Sequence, residues 1–136
     1  VIGIVVIGHA SIASEMRKAL EHVVGEQSLI ETLDVVAGDS PEQLSKTLRA
    51  MIRGCDVGEG VLLLADMFGG TPCNVAMGAL EKGRVEVVSG FNLPLLIKAA
   101  TLRNTVHDLS EFAAQVVESG RLYMRVAPRL DESRNG

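Results

Sequence analysis

The sequence predicts an α/β fold: an open, doubly wound, mainly parallel sheet in the order 2-1-3-4 with helices on both faces. Three observations carry this. Short apolar runs rich in β-branched residues alternate with helical periods through the chain. The first run, Val1–Ile7, and the core of the third, Val61–Leu64, are continuously apolar, as strands covered on both faces are. Successive β-then-α units with right-handed crossovers then favour an open parallel sheet over a barrel at this strand number.

The elements follow in order. Val1–Ile7 is the first strand. Ile12, Met16, Ala19, Leu20, Val23 and Val24 form one helical stripe that Gly25 ends. Leu29–Val36 is the second strand. Ser40 is then an N-cap, Pro41 a first helical residue and Gln43 the closing member of a capping box, ahead of the stripe Leu44, Leu48, Met51 and Ile52. Gly58-Glu59-Gly60 turns the chain into the third strand, Gly60–Asp66. After a glycine loop, Thr71 is the expected cap and Pro72 the first residue of a third helix whose apolar face carries Val75, Ala76, Ala79 and Leu80. Val85–Val88 is a fourth strand, and residues 92 to about 101 are helical. Asp108 and Glu111 frame a second capping box, with Leu109, Phe112, Ala113, Val116 and Val117 inward. Leu122, Met124 and Val126 alternate with Arg121, Tyr123 and Arg125, so Arg121–Val126 is expected to be a half-exposed edge strand. Residues 1–126 are expected to form one domain and 127–136 a frayed polar tail.

Composition narrows function. A net charge of −4 and 3% aromatic residues argue against nucleic-acid partners, whose phosphates and bases call for positive charge and stacking rings. The two cysteines, Cys55 and Cys73, form no C-x-x-C pair and are expected as small core residues of a reduced, cytoplasmic protein. No apolar run reaches the ~18 residues of a bilayer span, and the opening run lacks the basic flank of a signal peptide. Any membrane link is expected to come through a partner. Neither a metal nor another cofactor is expected, and no nucleotide-binding glycine fingerprint is present.

In open parallel sheets, ligand chemistry sits beyond the carboxyl ends of the strands at the point where the strand order reverses, here between strands one and three. Gly8-His9-Ala10-Ser11 follows strand one, and Asp66-Met67-Phe68-Gly69-Gly70-Thr71-Pro72 ends strand three. His9 and Asp66 are therefore expected to meet. A carboxylate that accepts a hydrogen bond from Nδ1–H leaves the Nε2 lone pair free as a nucleophile and stabilises positive charge on the ring. Gly69 and Gly70 let the backbone approach an anion, and Thr71 can add a hydroxyl to the N–H groups of the helix start. Taken singly, each feature has a plainer reading: a loop histidine, a loop-capping aspartate, a common helix start. Their coincidence at one predicted crevice points to phosphoryl transfer, which consists largely of positioning and charge stabilisation. Met67 and Phe68 either pack the loop or form an exposed docking patch. His22 is expected to be structural and His107 solvent-facing.

Gly8-His9 and Asp66-x-x-Gly69-Gly70-Thr71-Pro72-x-Asn74, with Ser89-Gly90-x-Asn92-x-Pro94-Leu95-Leu96 further on, resemble the mannose-family enzyme IIA domain of the bacterial sugar phosphotransferase system. The resemblance runs from Val1 to about Val126. It implies that His9 accepts a phosphoryl group on Nε2 from the carrier protein HPr and passes it to a IIB protein and on to a sugar at a membrane permease. It gives Asp66 the role of histidine partner and Thr71 that of phosphoryl contact. It also implies a homodimer that exchanges the final strand. Ala10, where glycine is frequent, and the bulky Met67 depart from the pattern. No IIB domain follows within these residues, so onward transfer is expected to need a separate chain. The alternative is a regulatory phosphohistidine module that acts on a partner without sugar transport. The phosphocarrier subunit of dihydroxyacetone kinase fits less well, because its loop usually lacks Gly-Gly-Thr-Pro. A receiver-like domain needs an acidic pair where Gly8-His9 stands.

Overall fold

A computed structural model describes residues 1–128. Four parallel strands, β1 (Gly3–His9), β2 (Ile30–Val35), β3 (Val61–Ala65) and β4 (Val85–Ser89), lie in the order β2-β1-β3-β4. Five helices connect or follow them: α1 (Ile12–Val24), α2 (Pro41–Cys55), α3 (Gly70–Met77), α4 (Leu93–Leu102) and α5 (Leu109–Leu122).

Strand parity divides the core. Ile4, Val6, Leu62 and Leu64 point to the face covered by α1, α4 and α5, where Phe112 and Leu96 are fully buried. Val5, Ile7, Leu63 and Ala65 point to the face covered by α2 and α3, with Leu48 and Ala76. Both faces of β1 and β3 are thus dry, and each such leucine or isoleucine contributes about 1.5–3 kcal/mol by leaving water. This is why these two strands are the continuously apolar ones. His9 follows Val5 and Ile7 in parity, so its side chain emerges on the α3 side of the sheet.

At the opposite end of the sheet, the buried Arg103 donates Nε–H to the Ile2 carbonyl at 3.1 Å and an Nη2–H to the Leu29 carbonyl at 3.0 Å. The link ties α4 to the starts of β1 and β2. Burial lowers the Arg103 pKa, and the nearby Cys55 opposes that shift.

Several expectations need correction. Arg121–Val126 is not a strand in the single chain: Arg121 and Leu122 complete α5, and 123–128 pair with no sheet edge. Alternation makes a strand only where the segment pairs with an edge, and here Leu122, Met124 and Val126 are exposed instead. Residues 129–136 of the expected tail lie outside the described residues. The third helix stops at Met77, because Gly78 is a poor helix former, and Leu80 is exposed beyond it. Val23 is 54% exposed and His22 lies at the surface, so the buried face of α1 is narrower than its period suggests. Ser40 and Asp108 do cap α2 and α5, accepting the amides of Gln43 and Glu111. The reciprocal side-chain bonds of a capping box are absent among the described residues. Cys55 and Cys73 are buried and free. No helix among the described residues is long and apolar enough to cross a membrane.

Candidate functional site

His9 is the last residue of β1, and Asp66 is the first residue beyond β3. Ile7 pairs with Ala65, and the Asp66 amide donates to the Ile7 carbonyl at 3.2 Å, so the two chains leave the sheet side by side. Asp66 Oδ2 accepts the His9 backbone N–H at 2.9 Å and meets His9 Nδ1 at 2.8 Å. Its Oδ1 accepts the Met67 amide at 3.0 Å.

Burial pushes the Asp66 pKa up, but the hydrogen bonds and charge of His9 and the Met67 amide outweigh it and hold the carboxyl below its ordinary value. An ionised carboxylate only accepts, so Nδ1 carries the proton, and in the neutral ring Nε2 then keeps its lone pair. The His9 side chain is 49% exposed while that of Asp66 is 11% exposed. The arrangement is thus a sheltered carboxylate that orients an accessible ring nitrogen.

Gly70 faces the ring. A Cβ built there would lie 3.3 Å from Nε2 and 3.2 Å from Cε1, so a side chain would crowd that edge of the ring. Its φ of +76° is also a conformation that strains any residue with a Cβ. Thr71 is not the cap of α3, as its sequence suggests. The helix begins two residues earlier, Gly69 occupies the cap position with φ +83°, and Thr71 lies exposed in the first turn beside the buried Pro72. The two left-handed glycines make the bend that a Thr cap would otherwise make. Met67 and Phe68 are 52% and 74% exposed, so the packed alternative for this pair is ruled out.

The helix starts differ. Ser40, Asn92 and Asp108 cap α2, α4 and α5 through their own side chains. In α1, Ser11 makes no cap bond, but Asp34 on β2 takes its place: Oδ1 accepts the Ser14 amide at 3.1 Å and Oδ2 the Ser14 hydroxyl at 2.6 Å. Among the described residues, α3 alone starts with no side-chain oxygen on its first-turn amides. These amides and the Thr71 hydroxyl are suited to bind an anion. No cluster of three metal-ligating side chains occurs among the described residues.

Ser14 and Asp34 were not singled out in the sequence. They stand 20 residues apart, so no local capping pattern reports them. His107 is exposed as expected, and its Nδ1 lies 2.6 Å from Glu59, at a distance from this site in the fold.

Comparison with known proteins gives a consistent result. The sequence profile of the family described as "PTS system fructose IIA component" matches residues 3–117. The PTS system mannose-specific EIIAB component of Escherichia coli is 34% identical over 121 residues, 88% of this chain. The match spans only 38% of that relative's length. Among solved structures, the mannose/sorbose specific IIA subunit of the phosphotransferase system from Enterococcus faecalis superposes with a TM-score of 0.83 at 30% identity, covering 95% of this chain and 98% of that one. The phosphotransferase system component EIIA from Streptococcus agalactiae shares the fold, with a TM-score of 0.84 at 23% identity over 93% of this chain and 97% of its own.

Proposed function

Because this chain belongs to the mannose-class enzyme IIA components of the phosphotransferase system, we propose that it is a phosphocarrier that accepts a phosphoryl group from HPr on His9 and delivers it to a separate IIB protein. The observation that carries the reading is the 2.8 Å contact of Asp66 with Nδ1, which directs the lone pair of Nε2 outward.

The Nε2 lone pair attacks phosphorus, and the Nε2–P bond forms as the bond from phosphorus to the donor breaks, leaving that electron pair on the donor. The ring gains positive charge while Nδ1 keeps its proton, and Asp66 stabilises that charge at hydrogen-bond distance. Gly69 and Gly70 admit the phosphoryl oxygens to the first-turn amides of α3, and the Thr71 hydroxyl donates to one of them. Transfer to the IIB protein is the same displacement with the acceptor as nucleophile.

Met67 and Phe68 form the apolar contact beside His9 on which donor and acceptor dock in turn. Their exposure next to the reacting nitrogen supports this. The exposed Leu122, Met124 and Val126 support a homodimer in which 121–126 pair with the partner's sheet edge. The assembly works in the cytoplasm and reaches a membrane permease through the IIB protein.

The test is incubation with phosphoenolpyruvate, enzyme I and HPr, followed by mass mapping and a chase with a IIB protein. A single acid-labile phosphoryl group should map to His9, vanish in His9→Ala and leave the chain in the chase. Label retained by His9→Ala would overturn the assignment.

A further inference from the structure

The turn that carries His9 is strained and held from two sides. Ala10, immediately after His9, has φ +53°, a conformation a non-glycine residue keeps only where its surroundings impose it. On one side the constraint is Asp66, which binds the His9 amide and ring. On the other it is the end of β2. The Ala10 amide donates to the Val35 carbonyl at 2.8 Å, and the adjacent Asp34 holds both the amide and the hydroxyl of Ser14. Asp34 pairs with Gly8, one residue before His9, so the same short stretch of β2 grips the turn before and after the histidine.

We propose that Asp34, acting through Ser14, is a positioning residue for His9: it clamps the first turn of α1 and so fixes the strained Ala10 and the direction of Nε2. A neutral cap such as Ser11 would suffice to start a helix. A carboxylate reaching in from a neighbouring strand does more. It ties the orientation of α1 to the sheet, and it fills the anion-attracting start of α1, leaving that of α3 as the open one beside Nε2. The inference rests on the phosphocarrier reading for what His9 is positioned to do.

Two readouts test it, on the whole chain: kinetics of phosphoryl acceptance from HPr, and ¹⁵N imidazole spectra of His9 in the unphosphorylated protein. Asp34→Ala should lower the maximal transfer rate about tenfold, with the KM for phosphorylated HPr unchanged, because a loosened turn misplaces the nucleophile without touching the docking surface. Its spectrum should show a growing fraction of the Nε2–H tautomer. Asp34→Asn, which keeps an acceptor for the Ser14 amide, should recover most of the rate. Asp108→Ala removes a comparable cap from α5 and serves as the structural control; it should move neither readout.

Equal effects of Asp34→Ala and Asp108→Ala would overturn the proposal. Should Asp34→Ala not fold, Ser14→Ala removes the 2.6 Å bond to Asp34 together with the hydroxyl's 3.2 Å bond to the Ser11 carbonyl, and an unchanged rate and spectrum in that variant would overturn it as well. A wild-type protein that takes no phosphoryl group, with spectra that still respond to Asp34→Ala, would sink the phosphocarrier reading and keep the positioning role. A wild-type protein that is labelled, with spectra indifferent to Asp34→Ala, would do the reverse.

Discussion

Two helices begin on either side of His9, and their starts are opposites. The start of α1 is closed: Asp34 places a carboxylate on the Ser14 amide and hydroxyl, and the apolar Ile12 packs against Gly8 so closely that a side chain on Gly8 would collide with it. The start of α3 is open: two left-handed glycines, an exposed Thr71 and no side-chain oxygen on the first-turn amides. Helix starts attract negative charge whatever their sequence, so the difference lies in whether the protein supplies that charge itself. At α1 it does. At α3 the charge is left to be supplied from outside, beside the accessible Nε2. In the proposed reaction this contrast gives an incoming phosphoryl group one place to settle.

The largest effect is expected where the contrast meets the nucleophile. Asp66→Asn keeps the size of the side chain but loses the charge that fixes the tautomer and stabilises the phosphorylated ring. The rate of phosphoryl acceptance should fall about a hundredfold or more, measured in the HPr assay, with the fold retained by circular dichroism. The same variant has a signature in stability. The pKa of Asp66 is lowered in the folded state. Its stabilisation is therefore complete above the unfolded carboxylate value of about 4 and is lost as pH falls through the lower folded value. Acid denaturation of Asp66→Asn should lack that part of the slope.

A smaller effect sharpens the picture of the open start. Gly70→Ala would bring a methyl group to 3.3 Å from Nε2 at a φ of +76°. It should lose about 1–2 kcal/mol of stability from the left-handed backbone alone. Crowding of the nucleophile should cost about a further tenfold in rate. Gly69→Ala shares the backbone strain at φ +83° but meets nothing within 4 Å, so its stability should fall similarly and its rate less. Equal rate losses in the two variants would mean that room over the ring is not what Gly70 provides.

Much of this was legible in the sequence because it is local or periodic. The two continuously apolar strands had to be central, and the order 2-1-3-4 then brought the ends of β1 and β3 together. His9 and Asp66 could be paired before any coordinates, as could the caps Ser40 and Asp108, whose bonds span three residues. What stayed hidden depends on distant partners. The capping of α1 by Asp34 crosses 20 residues, and the Arg103 link to Ile2 crosses 101, so neither leaves a pattern along the chain. The alternation in 121–126 was real, yet a strand forms only where the segment pairs with an edge, and here α5 takes up 121 and 122 while 123–128 pair with neither β2 nor β4. Thr71 looked like a cap because Thr-Pro commonly starts helices, but the preceding glycines had already made the turn.

The central claim is that Asp66 holds Nδ1 and frees Nε2 to react. It is tested most directly by ¹⁵N-labelling the histidines, phosphorylating the chain and reading the ¹⁵N–³¹P coupling of His9. The account predicts phosphorus bonded to Nε2, with Nδ1 still protonated. Phosphorus on Nδ1, or on a residue other than His9, would contradict it.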